Sequence, residues 1–310
     1  MPDRLKHVDS RDLFVELTYR QRLGVKRSLS DFSEETLLEA LKMKGALFPK
    51  AVYGSDNRYD APRDDTDPYW RSQQSVAILT KGHKPGAEGS LSLPVSRFED
   101  VFPPCPGEAG PRWSRQPVMR SDIGTAFLVS PDCLVTTGHQ VDVIGSFEDV
   151  YAVFDYNVHT LPAKWGPFVA DAASVYKVKG GGARGPKGED WAILELERPA
   201  SRYIPPRSQK KVEIGQPVTM IGHPRGLPAK VAPNAKILST SDATFAADLD
   251  AYRGNSGSPV FNQHHEVVGM LIAEHLDVKV GPVGNFTCAS FTVCELCFGE
   301  VCVRIAKLPI

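Results

Sequence analysis

Gly124-Thr-Ala-Phe-Leu-Val-Ser130-Pro-Asp-Cys133-Leu-Val-Thr-Thr137-Gly138-His139 is two short apolar runs joined by Ser-Pro-Asp and closed by a histidine. Pro and Asp side by side are turn residues, and each flanking run is too short for a helix that would fill a core. The stretch therefore reads as strand, turn, strand, with the imidazole delivered at the end of a sheet. Moving outward, the same texture recurs in Ser75–Thr80, Trp191–Leu196, Pro217–Ile221 and Val267–Ile272, bounded by Gly, Pro, Asp or Asn. Short strands with frequent turn signals indicate an all-β barrel or sandwich. Composition agrees: 25 of 310 residues are proline, roughly 8% against a usual ~5%, which favours turns over long helices.

Lys plus Arg number 36 and Asp plus Glu 37, for a formal charge of −1. That balance removes the electrostatic argument for nucleic acid or anionic lipid as partner. No run approaches the ~18 apolar residues of a membrane span, and the N-terminus lacks the apolar core of a secretory signal, so the simplest expected location is the cytoplasm. Residues 1–50 read as a helical segment. Leu13, Phe14, Leu17 and Tyr19 form one apolar pattern, and Ser30, Asp31 and Ser33 open a second stretch carrying Leu37, Leu38, Leu41 and Met43 at helical spacing. Residues 51–74, rich in Asp, Arg and Pro, read as a linker or extended wrap, and 75–310 as the main domain. Gly180-Gly-Gly-Ala-Arg-Gly185 is expected to be a flexible loop; the Lys-Ser/Thr and helix of a phosphate cradle are missing.

Three separated segments point to one chemistry. His139 ends the opening stretch, Asp190 stands just before the apolar run Trp191–Leu196, and Ser256 sits between glycines in Arg253-Gly-Asn-Ser-Gly-Ser-Pro259. A hydroxyl is a poor nucleophile until a base takes its proton and donors receive the oxyanion; glycines let backbone N–H groups turn toward one point. These motifs, in the order His, Asp, Ser, resemble the trypsin-like serine endopeptidases of chymotrypsin fold, and Gly-Asn-Ser-Gly-Ser-Pro is similar to the bacterial branch that includes the glutamyl endopeptidases. Gly222-His-Pro-Arg-Gly226 and Val52–Arg58 also resemble stretches of bacterial members. The likeness covers roughly residues 50–310. It implies a mainly β, double antiparallel β-barrel, with barrels at about 75–165 and 166–310 and a short helical N-terminal segment. It also implies catalytic His139, Asp190 and Ser256, an oxyanion hole from the N–H groups of Gly254 and Ser256, and an endopeptidase working on protein or peptide substrates without a cofactor.

The departures carry information. Members of the family often have a cysteine directly after the histidine, where this chain has Gln140. The animal enzymes have an aspartate before the serine that pairs with a newly cut N-terminus; Asn255 has no charge for that switch. Asp250, six residues before Ser256, matches the position whose aspartate gives trypsin its preference for Arg or Lys before the scissile bond, with Glu274 expected along the same wall. The alternative is that Asp250 hydrogen-bonds loop backbone. Cys288, Cys294, Cys297 and Cys302 admit a four-thiolate zinc site, two disulfides or free thiols. Trp113, Trp165 and Trp191 read as core aromatics, and His223 as a loop-stabilising residue. The N-terminal helices are either a prosegment or a docking module for a protein partner. Two rivals to proteolysis stand beside it: a catalytically silent binding protein that keeps the protease fold, and an esterase using the same three groups.

Overall fold

The structure, a computed structural model, describes residues 2–8, 13, 16, 29–33, 36–37, 52–106, 110, 112–185, 189–273, 278–283, 286–291, 293–294 and 299–310. Most of the expected N-terminal helical segment lies outside these residues; Asp3–Lys6 forms one helical turn.

Twelve strands make two closed antiparallel rings. The first holds β1 (Val76–Lys81), β2 (Asp122–Ser130), β3 (Cys133–Thr137), β4 (Val150–Val153), β5 (Val175–Arg184) and β6 (Trp191–Leu196), in the order β5-β6-β3-β2-β1-β4 with β4 returning to β5. The second holds β7 (Pro217–Gly222), β8 (Lys230–Thr240), β9 (Thr244–Ala247), β10 (Pro259–Phe261), β11 (Val267–Ala273) and β12 (Glu300–Arg304), in the order β7-β10-β11-β12-β9-β8, closed by β7 against β8. The C-terminal strand β12 thus completes the second ring between β9 and β11.

Alternation explains why the decisive stretch is apolar on both faces. Along β2, Ala126 and Leu128 enter the first barrel's interior with Leu79, Leu134 and Leu194. Phe127 and Val129 face outward with Val135 and Trp191, into a shared cluster with Ile221, Phe261, Met270 and Val303 of the second barrel. The second interior is built from Val218, Met220, Phe245, Val260, Leu271 and Cys302. The central seam is therefore a continuous dry contact, and truncating a ring such as fully buried Phe127 costs about 3–5 kcal/mol by the usual core rule.

Several expectations are corrected. The first ring runs to Leu196, so the division between barrels falls between residues 197 and 216, not near 165. The reason is the glycine run: Gly180 and Gly181 are not a free loop but ladder partners of Glu195 and Leu194, in a strand with register shifts that side-chain patterning does not reveal. Trp165 is 53% exposed, with Arg97 stacked 5.2 Å from its ring, whereas Trp113 and Trp191 are buried. The zinc reading fails because Cys288 is disulfide-bonded to Cys105, 183 positions away, where Pro104 bridges to Ala289. Cys302 is a buried free thiol and Cys297 lies outside the described residues.

Residues 52–61 are an extended strap on the second barrel. Val52 and Tyr53 pair with Val293 and Cys294, Tyr59 and Asp60 pair with Val231 and Lys230, and Ala61 N–H donates to Ala229 O at 2.9 Å. Arg58, fully buried, chelates Asp56 at 2.9 and 3.0 Å and stacks 3.8 Å from the Tyr252 ring and 4.6 Å from the Trp113 ring. A planar guanidinium between two aromatic faces tolerates this burial because its charge is paired and its faces are covered.

Candidate active site

Register creates the histidine–aspartate pair. β3 and β6 are antiparallel neighbours with Trp191 opposite Thr137. The residue after one strand and the residue before the other must therefore emerge side by side at the same barrel end. Gly138 N–H donates to Asp190 O at 3.1 Å, and helix α1 (Gly138–Ile144) begins there. Asp190, at φ +48°, turns its carboxylate back: Oδ2 lies 2.7 Å from His139 Nδ1, and Oδ1 accepts the His139 backbone N–H at 2.8 Å. Two contacts to one carboxylate fix both the place and the ring plane of the imidazole. Asp190 is buried while the His139 side chain is 42% exposed, so the pair is anchored on one side and open on the other. His139 Nε2 lies 3.4 Å from Thr137 Oγ1.

Ser256 comes from the loop before β10 and is held against the first barrel. Its carbonyl accepts Thr125 N–H at 3.1 Å and Gln140 Nε2 at 2.6 Å. The glycines on either side of Asn255 and Ser256 earn their place sterically. Gly254 has φ +102°, and a Cβ on it would stand 2.7 Å from His223 O; Gly257 has φ +88°, and a Cβ would stand 1.9 Å from Thr125 O. A side chain at either position would force the surrounding backbone to shift. His223 is buried, its Nδ1 3.1 Å from Leu227 O, and burial drives its pKa down to about 3, so it serves the loop as a neutral ring. Asn255, also buried, carries no charge beside the nucleophile.

His139 and Ser256 line one cleft of about 550 Å³ together with Gly254, Gln140, Asp122, Arg120, Arg225 and Arg253. Asp122 has its pKa raised to about 6 by burial, opposed by Arg253 and Arg225. Sequence reading overlooked Asp122, the three arginines and the bond made by Gln140. The signal for Asp122 was its place at the very start of β2, two residues before Gly124; for Gln140 it was adjacency to His139.

Of the two expected substrate-pocket acids, Asp250 is not among the residues that line this cleft. Glu274 lies outside the described residues. Asp250 is buried and faces the strap: its carboxylate accepts Tyr53 N–H at 2.7 Å and Asn57 N–H at 3.3 Å, with Arg58 nearby. Burial raises its pKa to about 6 despite those partners. Of the two readings, backbone hydrogen bonding is the one that the geometry supports. Among the described residues, no cluster of three or more His, Cys, Asp or Glu could hold a metal ion.

Residues 124–270 match the family described as trypsin-like peptidase domain. The glutamyl endopeptidase of Staphylococcus aureus strain MW2 is 27% identical over 153 residues, covering 48% of this chain and 46% of that protein. The same enzyme from strain MRSA252 is also 27% identical, over 42% of its length. The chain thus spans less than half the length of the curated relatives it matches. Among solved structures, it is similar to a Glu endopeptidase in complex with MPD, at 15% identity and TM-score 0.45 over 72% of this chain and 88% of that one. It is also similar to the Vibrio cholerae VesB protease, at 12% identity and TM-score 0.47 over 81% and 64%.

Proposed function

We propose that this chain, whose residues 124–270 match the trypsin-like peptidase domain, is a serine endopeptidase in which Ser256, His139 and Asp190 act as one relay. The observation that carries the proposal is the doubly held imidazole: Asp190 takes both Nδ1 and the backbone N–H of His139, on a cleft wall shared with Ser256. In this reading Nδ1 keeps its proton for Asp190, leaving Nε2 as the base. The 3.4 Å contact of Nε2 with Thr137 is long enough to yield to the serine hydroxyl as substrate binds. Ser256 Oγ attacks the scissile carbonyl and its proton passes to Nε2. The imidazolium, stabilised by Asp190, then returns the proton to the leaving amine. Water repeats the cycle on the acyl-enzyme. In this reading the N–H groups of Gly254 and Ser256 receive the oxyanion, with Gly254 at a positive φ two residues before the nucleophile.

The substrate is a protein or peptide. With Asp250 committed to the strap, and Arg120, Arg225 and Arg253 against Asp122 around the cleft, acidic or neutral side chains near the scissile bond suit this wall better than Arg or Lys. The Cys105–Cys288 disulfide suits an oxidising compartment better than a reducing cytoplasm.

A fluorophosphonate probe tests the reaction class. Wild-type protein should be labelled at Ser256 and Ser256→Ala should not. Failure of folded wild-type protein to react would make this a silent protease fold, and ester turnover with no peptide cleavage would make it an esterase.

A further inference from the structure

Gln140 follows the histidine directly, yet its side chain leaves the histidine and crosses to the other barrel. It is 2% exposed. Its Nε2 donates to the carbonyl of Ser256 at 2.6 Å, and its Oε1 meets the Thr136 hydroxyl, whose one proton has Thr125 O at 2.8 Å as a second acceptor. The orientation of the amide is set by chemistry, because the Ser256 carbonyl oxygen can only accept and so takes the NH2 end. The first barrel leaves room for the amide: Gly124 has φ +149°, and a Cβ there would stand 1.9 Å from Gln140 Nε2. The same nucleophile carbonyl takes Thr125 N–H at 3.1 Å, and Thr125 Oγ1 in turn donates to Gly254 O at 2.8 Å.

We propose that Gln140 is a positioning residue: its amide clamps the main chain of the nucleophile Ser256 to the residue next to the base His139, so that this buried hydrogen bond, beside the one from Thr125 N–H, sets the spacing between hydroxyl and imidazole across the barrel seam. The inference rests on the peptidase reading above. The base and the clamp are consecutive residues of α1, and the nucleophile and the clamped carbonyl belong to one residue. The path between the two reacting groups is therefore short. Few freely rotating bonds intervene, and a shift of an ångström at this spacing is enough to cost orders of magnitude in rate. A buried donor also has no water to replace its partner, so the carbonyl cannot exchange the clamp for solvent without loss.

The test compares Gln140→Ala and the isosteric Gln140→Glu with wild type, reading fluorophosphonate labelling rate against pH, together with thermal midpoint. Gln140→Ala, while folded, should label at least tenfold more slowly at every pH. Gln140→Glu carries the signature. Burial raises a carboxyl's pKa here even against the cleft arginines, as it does for Asp122 against Arg253 and Arg225, so the protonated acid still donates to Ser256 O at low pH, whereas the ionised form opposes that carbonyl. Its rate relative to wild type should be close to one near pH 5.5 and fall at least tenfold by pH 8.5. A merely structural glutamine would give two variants with lower thermal midpoints and a pH-independent ratio. Folded variants that label like wild type throughout overturn the proposal, as does failure of Gln140→Glu to fold at any pH. Absence of labelling in the wild type would instead sink the peptidase reading, and the clamp with it.

Discussion

Asp250→Asn distinguishes a specificity residue from a structural anchor. In the folded chain the Asp250 carboxyl titrates near pH 6, because burial outweighs its hydrogen bonds from Tyr53 and Asn57 and the nearby Arg58; its ordinary value is 3.8. A folded-state pKa above the unfolded one means that the native state binds the proton more tightly. Stability is therefore fully present below about pH 4 and is lost as pH rises through about 6, by about 3 kcal/mol for a shift of this size. Asparagine keeps an acceptor but not the titration, and it loses one of the two backbone N–H bonds, a cost of about 1–3 kcal/mol. The variant should therefore be less stable than wild type at pH 4 and equal or slightly more stable at pH 7, the difference moving by about 3 kcal/mol between them. Asp122 adds a slope of the same sign to both proteins and cancels in the comparison. Urea denaturation at pH 4, 5.5 and 7 measures the difference, and a peptide-library digest read by mass spectrometry measures side-chain preference. Parallel stability curves would refute the buried-carboxylate argument. A loss of cleavage after Arg or Lys confined to the variant would show that Asp250 does reach substrate.

Gly254→Ala should fold with a lowered thermal midpoint and slow ester hydrolysis by on the order of 10²–10³, the usual loss for one oxyanion donor. The added methyl would meet His223 O at 2.7 Å and Arg225 N at 2.9 Å, pushing the amide away; an unchanged burst rate would deny that amide its role. Cys105→Ser should lower stability by about 3–5 kcal/mol, since the bond closes a long loop. Urea titration of the variant against reduced and oxidised wild type checks this, with reduced wild type expected to match the variant.

What could be seen in the sequence, and what could not, follows from where each side chain's partners lie. Phe127 and Leu128 are adjacent, yet one packs in the seam and the other inside a barrel. A run buried on both faces stands out as apolar, and the strand was visible for that reason. His139, Asp190 and Ser256 stood out because strand ends and tight glycine turns are local signals. The extent of the first barrel was missed because Gly180 and Gly181 have no side chains with which to show a strand pattern, and their ladder comes from β6. Asp250 was left between two readings because sequence position says nothing of direction: its carboxylate turns to Tyr53, 197 residues away, and it is not among the residues lining the cleft. Cys288 was grouped with its sequence neighbours when its partner lay in another loop.

The strap on the second barrel has an effect on how the polypeptide would respond to being nicked. Residues 52–61 are gripped by two short ladders, the Asp250 carboxylate and a Lys230 ammonium 2.7 Å from Asp60, while Arg63, Asp64, Asp65 and Thr66 just beyond them lie open to solvent. Severing the backbone there would remove a covalent tether but none of the contacts that hold the piece. The two fragments would copurify as one particle and part only when the larger one unfolds.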